Sequence, residues 1–139
     1  MLKTTLLHPG ILGALAAMGH GSRVLLADGN FPFATHTNPA AAHVYLNVRP
    51  GLVSVTDILA PLVTAIPIEA AHVMQPADGS EPGIFAEFRA LLPGMTLEPV
   101  ERFAFYELGR GSDVGLVIAT GEARIYANLL LTIGVVKDE

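Results

Sequence analysis

The chain has 139 residues, the size of one domain, and its 51% of hydrophobic residues are enough to build a core. Only 15% of the residues are charged, against about 25% in a typical soluble domain, so we expect part of the surface to be buried in a homo-oligomer rather than exposed on an apolar monomer. The net charge of −5, without any cluster of Lys and Arg, argues against nucleic-acid binding. The absence of cysteine excludes disulfides and thiolate catalysis, and it is compatible with a cytoplasmic protein.

The first predicted element is an amphipathic helix over residues 9–18, which Gly19 ends. The same stretch also has features of a short signal peptide, because Lys3 precedes an apolar run. However, His8–Gly10 interrupts that run, which is also shorter than the roughly 20 residues needed to span a bilayer. We therefore expect no membrane segment here, but a helix that delivers His20 to a functional site.

A histidine between two glycines precedes the first predicted strand, and an aspartate follows that strand. His20 comes before residues 24–27, and Asp28 stands at their C-terminal end, where open α/β sheets bind ligands. Histidine exchanges protons near neutral pH, and a nearby carboxylate fixes its tautomer. The pair is a candidate acid–base site, although His20 also suits a helix cap and Asp28 also suits a turn.

The elements that follow alternate between strands and helices. After a loop over 28–42, apolar periodicity predicts strands at 44–48, 68–74, 97–100, 114–120 and 125–136, and helices at 54–64, 82–91 and 101–108. Ser54 or Thr56 is the expected cap of the second helix. This alternation predicts a three-layer α/β/α fold with a mixed or mainly parallel sheet, and no linker or repeat divides residues 1–139 into more than a single domain.

The C-terminal half contributes three further polar candidates. Tyr126 and Asn128 project to the same face if they lie on a strand, where they face either a polyhydroxylated ligand or solvent. The guanidinium of Arg102 is a rigid fork of donors that can hold the hydroxyls or carboxylates of a ligand. The alternative to this binding role is a surface ion pair with Glu101 or Glu107.

Other chemistries find weaker support. His36, His43 and His72, with Asp28, match no metal-ligand spacing that is typical of proteins. Residues 109–115 (GRGSDVG) lack the Lys-Ser/Thr ending of a phosphate loop and precede a strand, so we expect a turn there. No serine has the surroundings of a hydrolase nucleophile.

Four short motifs, taken together, resemble one known family. Met18–Gly21 (MGHG), Leu26–Pro32 (LADGNFP), Arg102–Glu107 (RFAFYE) and Tyr126–Leu129 (YANL) follow in this order along nearly the whole chain. In this order they resemble the D-ribose pyranase / L-fucose mutarotase family. The RFAFYE block is similar to the L-fucose mutarotase branch, whereas the ribose pyranase branch typically carries a histidine near the position of Arg102.

The resemblance implies an isomerase that needs neither cofactor nor metal. It implies His20 as the acid–base residue, and Asp28, Arg102, Tyr126 and Asn128 as contacts to a monosaccharide. It also implies homo-oligomeric rings, commonly decamers, in which a neighbouring subunit completes each site. The expected reaction interconverts the anomers of an L-fucose-like sugar; pyranose–furanose isomerisation and non-catalytic sugar binding are the alternatives.

The chain departs from the family pattern in its loops. The interval between Arg102 and Tyr126 is slightly longer than usual, with an insertion at 109–113, and the segment over 76–95 is shorter than in fucose mutarotases. The loops at 33–43 and 76–83 shape the expected pocket, so these departures bear on which sugar is bound rather than on the chemistry.

Overall fold

Four helices and six strands make up the fold of residues 1–138, the part of the chain that the computed structural model describes. The helices are α1 (Pro9–Ala17), α2 (Val55–Leu62), α3 (Ile84–Leu91) and α4 (Arg102–Gly109). The strands are β1 (Arg23–Ala27), β2 (Ala42–Tyr45), β3 (Ile68–Gln75), β4 (Leu97–Glu101), β5 (Val114–Ala119) and β6 (Leu129–Ile133). The predicted α/β class is confirmed.

All six strands join one mixed sheet in the order β2-β5-β1-β6-β3-β4. β6 runs antiparallel to both of its neighbours, β1 and β3, while the other pairs are parallel. The C-terminal ends of β1, β3 and β4 therefore lie at one edge of the sheet, together with the N-terminal end of β6. We call this the carboxyl edge, and the opposite one the amino edge.

Helices cover both faces of the sheet, as the predicted three-layer arrangement requires. Along β1, Val24 and Leu26 point into a core that α1, α2 and α3 complete. Leu25 and Ala27 point to the other face, where Phe105 of α4 packs on them. Because successive side chains of a strand alternate between faces, one apolar strand supplies both cores.

Most element boundaries agree with the predicted ones, and local chemistry explains them. Ser54 caps α2 through a reciprocal pair of hydrogen bonds with Asp57, which confirms the expected cap. β2 is displaced from the predicted 44–48 to Ala42–Tyr45. Its partner β5 ends at Ala119, opposite Tyr45, so the parallel ladder stops there.

The last predicted strand, at 125–136, was too long. The observed strand β6 begins only at Leu129, so Tyr126 and Asn128 precede the strand and do not lie on it. Two features end the ladder: Tyr126 adopts a left-handed backbone with φ of 59°, and the amide of Ala127 donates to the carboxylate of Asp28 at 3.2 Å. A left-handed residue interrupts the extended backbone, and an amide that is bonded to Asp28 is not paired with a neighbouring strand.

The first helix ends at Ala17, three residues before His20. In the described part of the chain, no helix combines the length and the apolar character that crossing a membrane requires.

Candidate functional site

A cavity of about 340 Å³ opens at the carboxyl edge of the sheet. Its position follows from the topology, because Asp28 comes directly after β1, Arg102 directly after β4, and Asn128 directly before β6. Its polar lining consists of Asp28, Asn30, Arg102, Tyr106, Tyr126 and Asn128, and Phe31, Met74 and Ile125 supply apolar surface. The structure thus brings together four of the five residues that the sequence singled out.

Asp28 and Asn128 form the buried centre of this cavity. The amide nitrogen of Asp28 donates to Oδ1 of Asn128 at 2.8 Å, and Nδ2 of Asn128 donates to Oδ2 of Asp28 at 3.1 Å. The backbone amide of Asn30 donates to Oδ1 of Asp28 at 3.0 Å, so Asp28 also has its expected turn role. Both carboxylate oxygens are therefore engaged, and the Asn128 amide is held in one orientation.

Burial raises the pKa of Asp28 above its ordinary value of 3.8. The hydrogen bonds from Asn30, Ala127 and Asn128 oppose this shift, because they stabilise the ionised carboxylate. The loss of hydration is the larger effect. Asp28 is thus a buried carboxyl group with hydrogen-bond donors already in place around it.

Arg102 opens α4 and turns towards Tyr106 rather than towards its acidic neighbours. Its Nε donates to the hydroxyl oxygen of Tyr106 at 3.0 Å. Glu101 instead caps α4 by accepting from the amides of Phe103 and Ala104, and Glu107 pairs with Arg110. The expected alternative of an ion pair with Glu101 or Glu107 is thus not formed, and Arg102 lines the cavity instead.

His20 lies at the amino edge, away from this cavity. The first and last Cα atoms of β1 are about 13 Å apart, since a strand rises about 3.3 Å per residue, and His20 and Asp28 lie beyond opposite ends of it. Within one chain, the predicted pair of His20 and Asp28 is therefore not formed. Instead, Nε2 of His20 lies 3.1 Å from both carboxylate oxygens of Glu69, and the His20 side chain is 60% exposed.

Glu69 was missed because nothing in its local sequence marks it. It stands at the start of β3, and β6 alone separates β3 from β1. The pairing of Ile68 with Ile133, and the hydrogen bond from the Gly21 amide to the Ile133 carbonyl at 2.9 Å, bring the two amino ends together. Tyr106 did leave a signal, because it is four residues after Arg102 on a helix and so shares its face.

The remaining histidines do not converge. His43 contacts the hydroxyl of Thr37 at 2.8 Å, and His72 pairs with Glu98 at 2.6 Å. The ring of His36 packs edge-on against Tyr106, at a centroid distance of 5.1 Å. Among residues 1–138, no group of three or more metal-ligating side chains comes together.

A larger groove of about 940 Å³ adjoins the cavity and shares Ile125 and Tyr126 with it. Its other walls are the loop after β3 and the start of α3, with Arg124 at one side. We assign the site to the smaller cavity, because Asp28, Arg102 and Asn128 converge only there. Ligand cavities generally measure about 300 to 1,000 Å³, so the smaller one suits a compact ligand.

Comparison with known proteins finds relatives that cover nearly the whole chain. Over 97% of its length, the chain is 34% identical to a fucose mutarotase of Danio rerio, of which 93% is covered. It is 33% identical to a D-ribose pyranase of Paracidovorax citrulli, with 97% of this chain and 98% of that protein covered. The fold superposes on the fucose mutarotase of Streptococcus pneumoniae in complex with L-fucose with a TM-score of 0.83, at 26% identity over 99% of this chain and 100% of that one.

A family model also matches residues 1–136, nearly the whole chain. The chain therefore belongs to the RbsD / FucU transport protein family.

Proposed function

We propose that this protein interconverts the anomers of a free monosaccharide and that its preferred substrate is an L-fucose-like pyranose. The coarse class follows from family membership: the chain is a sugar isomerase of the mutarotase and pyranase kind. The finer assignment rests on Arg102 and the RFAFYE block, which resemble the L-fucose mutarotase branch of the family. Arg102 reaches the cavity together with Tyr106 from the RFAFYE block.

One observation carries the proposal: a small cavity is lined by an aspartate, two asparagines, two tyrosines and an arginine. These groups include both donors and acceptors, which a ring with several hydroxyls requires. Asp28 and Asn128 are already fixed by their mutual hydrogen bonds, so little conformational entropy is lost when a sugar binds to them. Phe31 and Met74 offer apolar surface to the C–H bonds of the ring.

The reaction itself requires proton transfer and no change of oxidation state. The hydroxyl on the anomeric carbon loses its proton, the bond from that carbon to the ring oxygen breaks, and the ring oxygen takes up a proton. Rotation about the first carbon–carbon bond and reversal of these steps give the other anomer. A single group that accepts and returns a proton near neutral pH can serve both steps.

We assign this proton exchange to His20, supplied by a second copy of the chain. The lining of the cavity includes no histidine from its own chain. His20 and Glu69 form an exposed imidazole–carboxylate pair at the opposite edge, where the carboxylate fixes the orientation of the ring. A homo-oligomeric ring, such as the decamer that the resemblance implies, brings the amino edge of one subunit to the carboxyl edge of the next.

The composition and the surface support such an assembly. Ile125 beside the cavity, Phe103 on α4 and Val48 are large apolar side chains that are more than half exposed. Burial of such side chains between subunits is consistent with the low fraction of charged residues. The absence of cysteine supports a cytoplasmic protein.

Saturation-transfer NMR on a panel of monosaccharides tests this function. We expect magnetisation saturated on one anomer of L-fucose to appear on the other faster with the protein than in buffer. The second candidate is a ribose pyranase, because the chain is 33% identical to a D-ribose pyranase. Faster pyranose–furanose exchange of D-ribose, with no effect on L-fucose, would favour this alternative. Binding of sugars in calorimetry without faster exchange of any of them would contradict catalysis.

A further inference from the structure

We infer that Glu122 is a positioning residue for Tyr126 and acts through Arg124 to hold the phenol beside the sugar cavity. The inference rests on the proposed function, in which Tyr126 contacts the sugar. Glu122 does not line the cavity around Asp28, so it has no direct contact with the reacting atoms. Its influence must pass through the segment that joins it to Tyr126.

The carboxylate of Glu122 is buried, with 4% of its side chain exposed, and both of its oxygens are engaged. Oε1 accepts from the Nε of Arg124 at 2.9 Å, and Oε2 accepts from the Nη2 of Arg124 at 3.0 Å. Two parallel hydrogen bonds of this kind fix both the distance and the plane of the guanidinium. The backbone amide of Arg124 also donates to Oε1 at 3.1 Å, so the side chain and the backbone of Arg124 both bind the Glu122 carboxylate.

Both partners are tied to helices of the core. Oε2 of Glu122 accepts from the amide of Val55, the first residue of α2, at 3.2 Å. Arg124 also pairs with Glu87 on α3. The Glu122–Arg124 pair therefore joins the loop to two helices that pack in the core, and the loop cannot shift without breaking these contacts.

The backbone of Glu122 is fixed next to Asp28. Its carbonyl oxygen accepts from the amide of Gly29 at 2.9 Å, and its amide donates to the hydroxyl of Thr120 at 3.2 Å. The preceding residue, Gly121, packs so closely that an added Cβ would lie 2.3 Å from the carbonyl oxygen of Arg49. The segment that leads to Tyr126 thus starts from a rigid point beside the site.

Tyr126 needs this support because its backbone conformation is unfavourable. With φ of 59°, it is the one non-glycine residue with a positive φ among the described residues. Side chains with a Cβ disfavour this region. After Tyr126, the amide of Ala127 is held by Asp28 at 3.2 Å, and before it the Glu122–Arg124 pair holds the loop. If the Glu122–Arg124 contact is lost, the backbone of Tyr126 can leave its unfavourable conformation. The Tyr126 ring then moves away from its place between the cavity and the adjoining groove.

A double-mutant cycle tests the inference. In the wild-type background, Glu122→Gln keeps the size of the side chain but not its charge, and we expect anomer exchange to fall about tenfold because a catalytic contact is misplaced. Sugar affinity should change less than the exchange rate, since Asp28 and Asn128 are untouched. In the Tyr126→Phe background, the same substitution should add almost nothing, because the phenol is already absent. If the fold-loss of anomer exchange in the double variant equals the product of the two single-variant losses, the inference is overturned.

Two further variants keep the test decisive. Arg124→Gln removes the other partner, whose side chain is 44% exposed, and should reproduce the effect even if Glu122→Gln does not fold. Arg89→Gln is the control: Arg89 lies on α3, the helix that Arg124 contacts, and forms an exposed ion pair with Glu81. Loss of that pair should leave the rate of anomer exchange unchanged. An equal loss in Arg89→Gln would indicate a general effect on α3.

A readout without substrate separates this inference from the proposed function. In protein with ¹³C-labelled tyrosine rings, the Tyr126 signal is identified by its loss in Tyr126→Phe. Glu122→Gln and Arg124→Gln should shift or broaden that signal while those of Tyr45 and Tyr106 stay in place. An unmoved Tyr126 signal refutes the positioning role even if the enzyme is active, and a moved signal supports it even if no sugar on the panel is exchanged.

Discussion

Asp28 and Asn128 hydrogen-bond each other twice, although 100 positions separate them in the chain. The backbone of Asp28 donates to the side chain of Asn128, which donates back to the carboxylate. This arrangement fixes the loop after β1 against the segment before β6. It also leaves one lone pair of the Asn128 amide oxygen to meet a sugar hydroxyl, whereas Nδ2 also donates to Sδ of Met74 at 3.9 Å.

Replacing Asp28 with asparagine should weaken this connection and remove the contribution of Asp28 to the pH dependence of stability. The Asn side chain has one acceptor oxygen, so it cannot accept from Asn30 as well as from Ala127 and Asn128, and we expect the free energy of unfolding to fall by about 1–3 kcal/mol. Because burial raises the pKa of Asp28, the folded wild type binds a proton more tightly than the unfolded chain. Wild-type stability relative to Asp28→Asn should therefore decrease as the pH rises above 3.8.

Urea unfolding at several pH values measures this difference. The two proteins share every other titratable group, so the pH dependence of the difference isolates Asp28. An advantage of the wild type that grows from acid to neutral pH would contradict a raised pKa.

His20→Ala should abolish most catalysis and leave the cavity intact. Loss of a general acid–base group typically lowers the rate about 10²- to 10⁴-fold, while binding of the sugar to Asp28 and Asn128 persists. His8→Asn is the matched control, because His8 caps α1 through its side chain and asparagine is an equally good cap. Saturation-transfer NMR should show unchanged exchange in the control, and unchanged exchange in His20→Ala would remove the proton-transfer role.

Mixing two inactive variants tests whether His20 comes from another subunit. His20→Ala retains the cavity and Asn128→Ala retains the histidine. If each site is shared between two subunits, a complete site forms only where a His20→Ala cavity meets an Asn128→Ala histidine, so refolding the two together should restore about one quarter of the sites. Each variant refolded alone should stay inactive. No recovery in the mixture, although it assembles, would mean that His20 serves its own chain.

Arg102→His should change the preference between sugars. Histidine lacks the forked donors that reach both Tyr106 and the cavity, so we expect the KM for L-fucose to rise about tenfold. Exchange of D-ribose should fall less or increase, because the substitution introduces the histidine that is typical of the ribose pyranase branch near this position. Equal losses for both sugars would show that Arg102 does not discriminate between them.

Glu122→Gln should lower stability with a pH dependence opposite to that of Asp28→Asn. The hydrogen bonds of Arg124 lower the pKa of Glu122 below its ordinary value of 4.5, so the ionised form stabilises the fold above that pH. We expect a loss of about 1–3 kcal/mol near neutral pH that shrinks as the pH falls through the folded-state pKa. A loss that is constant with pH in urea unfolding would argue against the ionised pair.

Much of the fold could be predicted because it depends on local patterns. A short apolar run located β1, and a capping residue, Ser54, located the start of α2. The strand predicted at 125–136 failed because the segment before Leu129 bonds to Asp28 instead of to a neighbouring strand. That bond depends on a residue 99 positions away, which no local window contains.

The amino-acid sequence by itself determined the α/β class, the chemical types of the site residues, and the association of Asp28, Arg102, Tyr126 and Asn128 with one family. Only the tertiary structure decided how these residues are arranged. Because β6 is inserted antiparallel between β1 and β3, the ends of distant segments meet at two separate edges of the sheet. Asp28 and Asn128 are thereby joined at the carboxyl edge, and His20 meets Glu69 at the amino edge, because strand direction and order, rather than distance along the chain, fix which residues become neighbours.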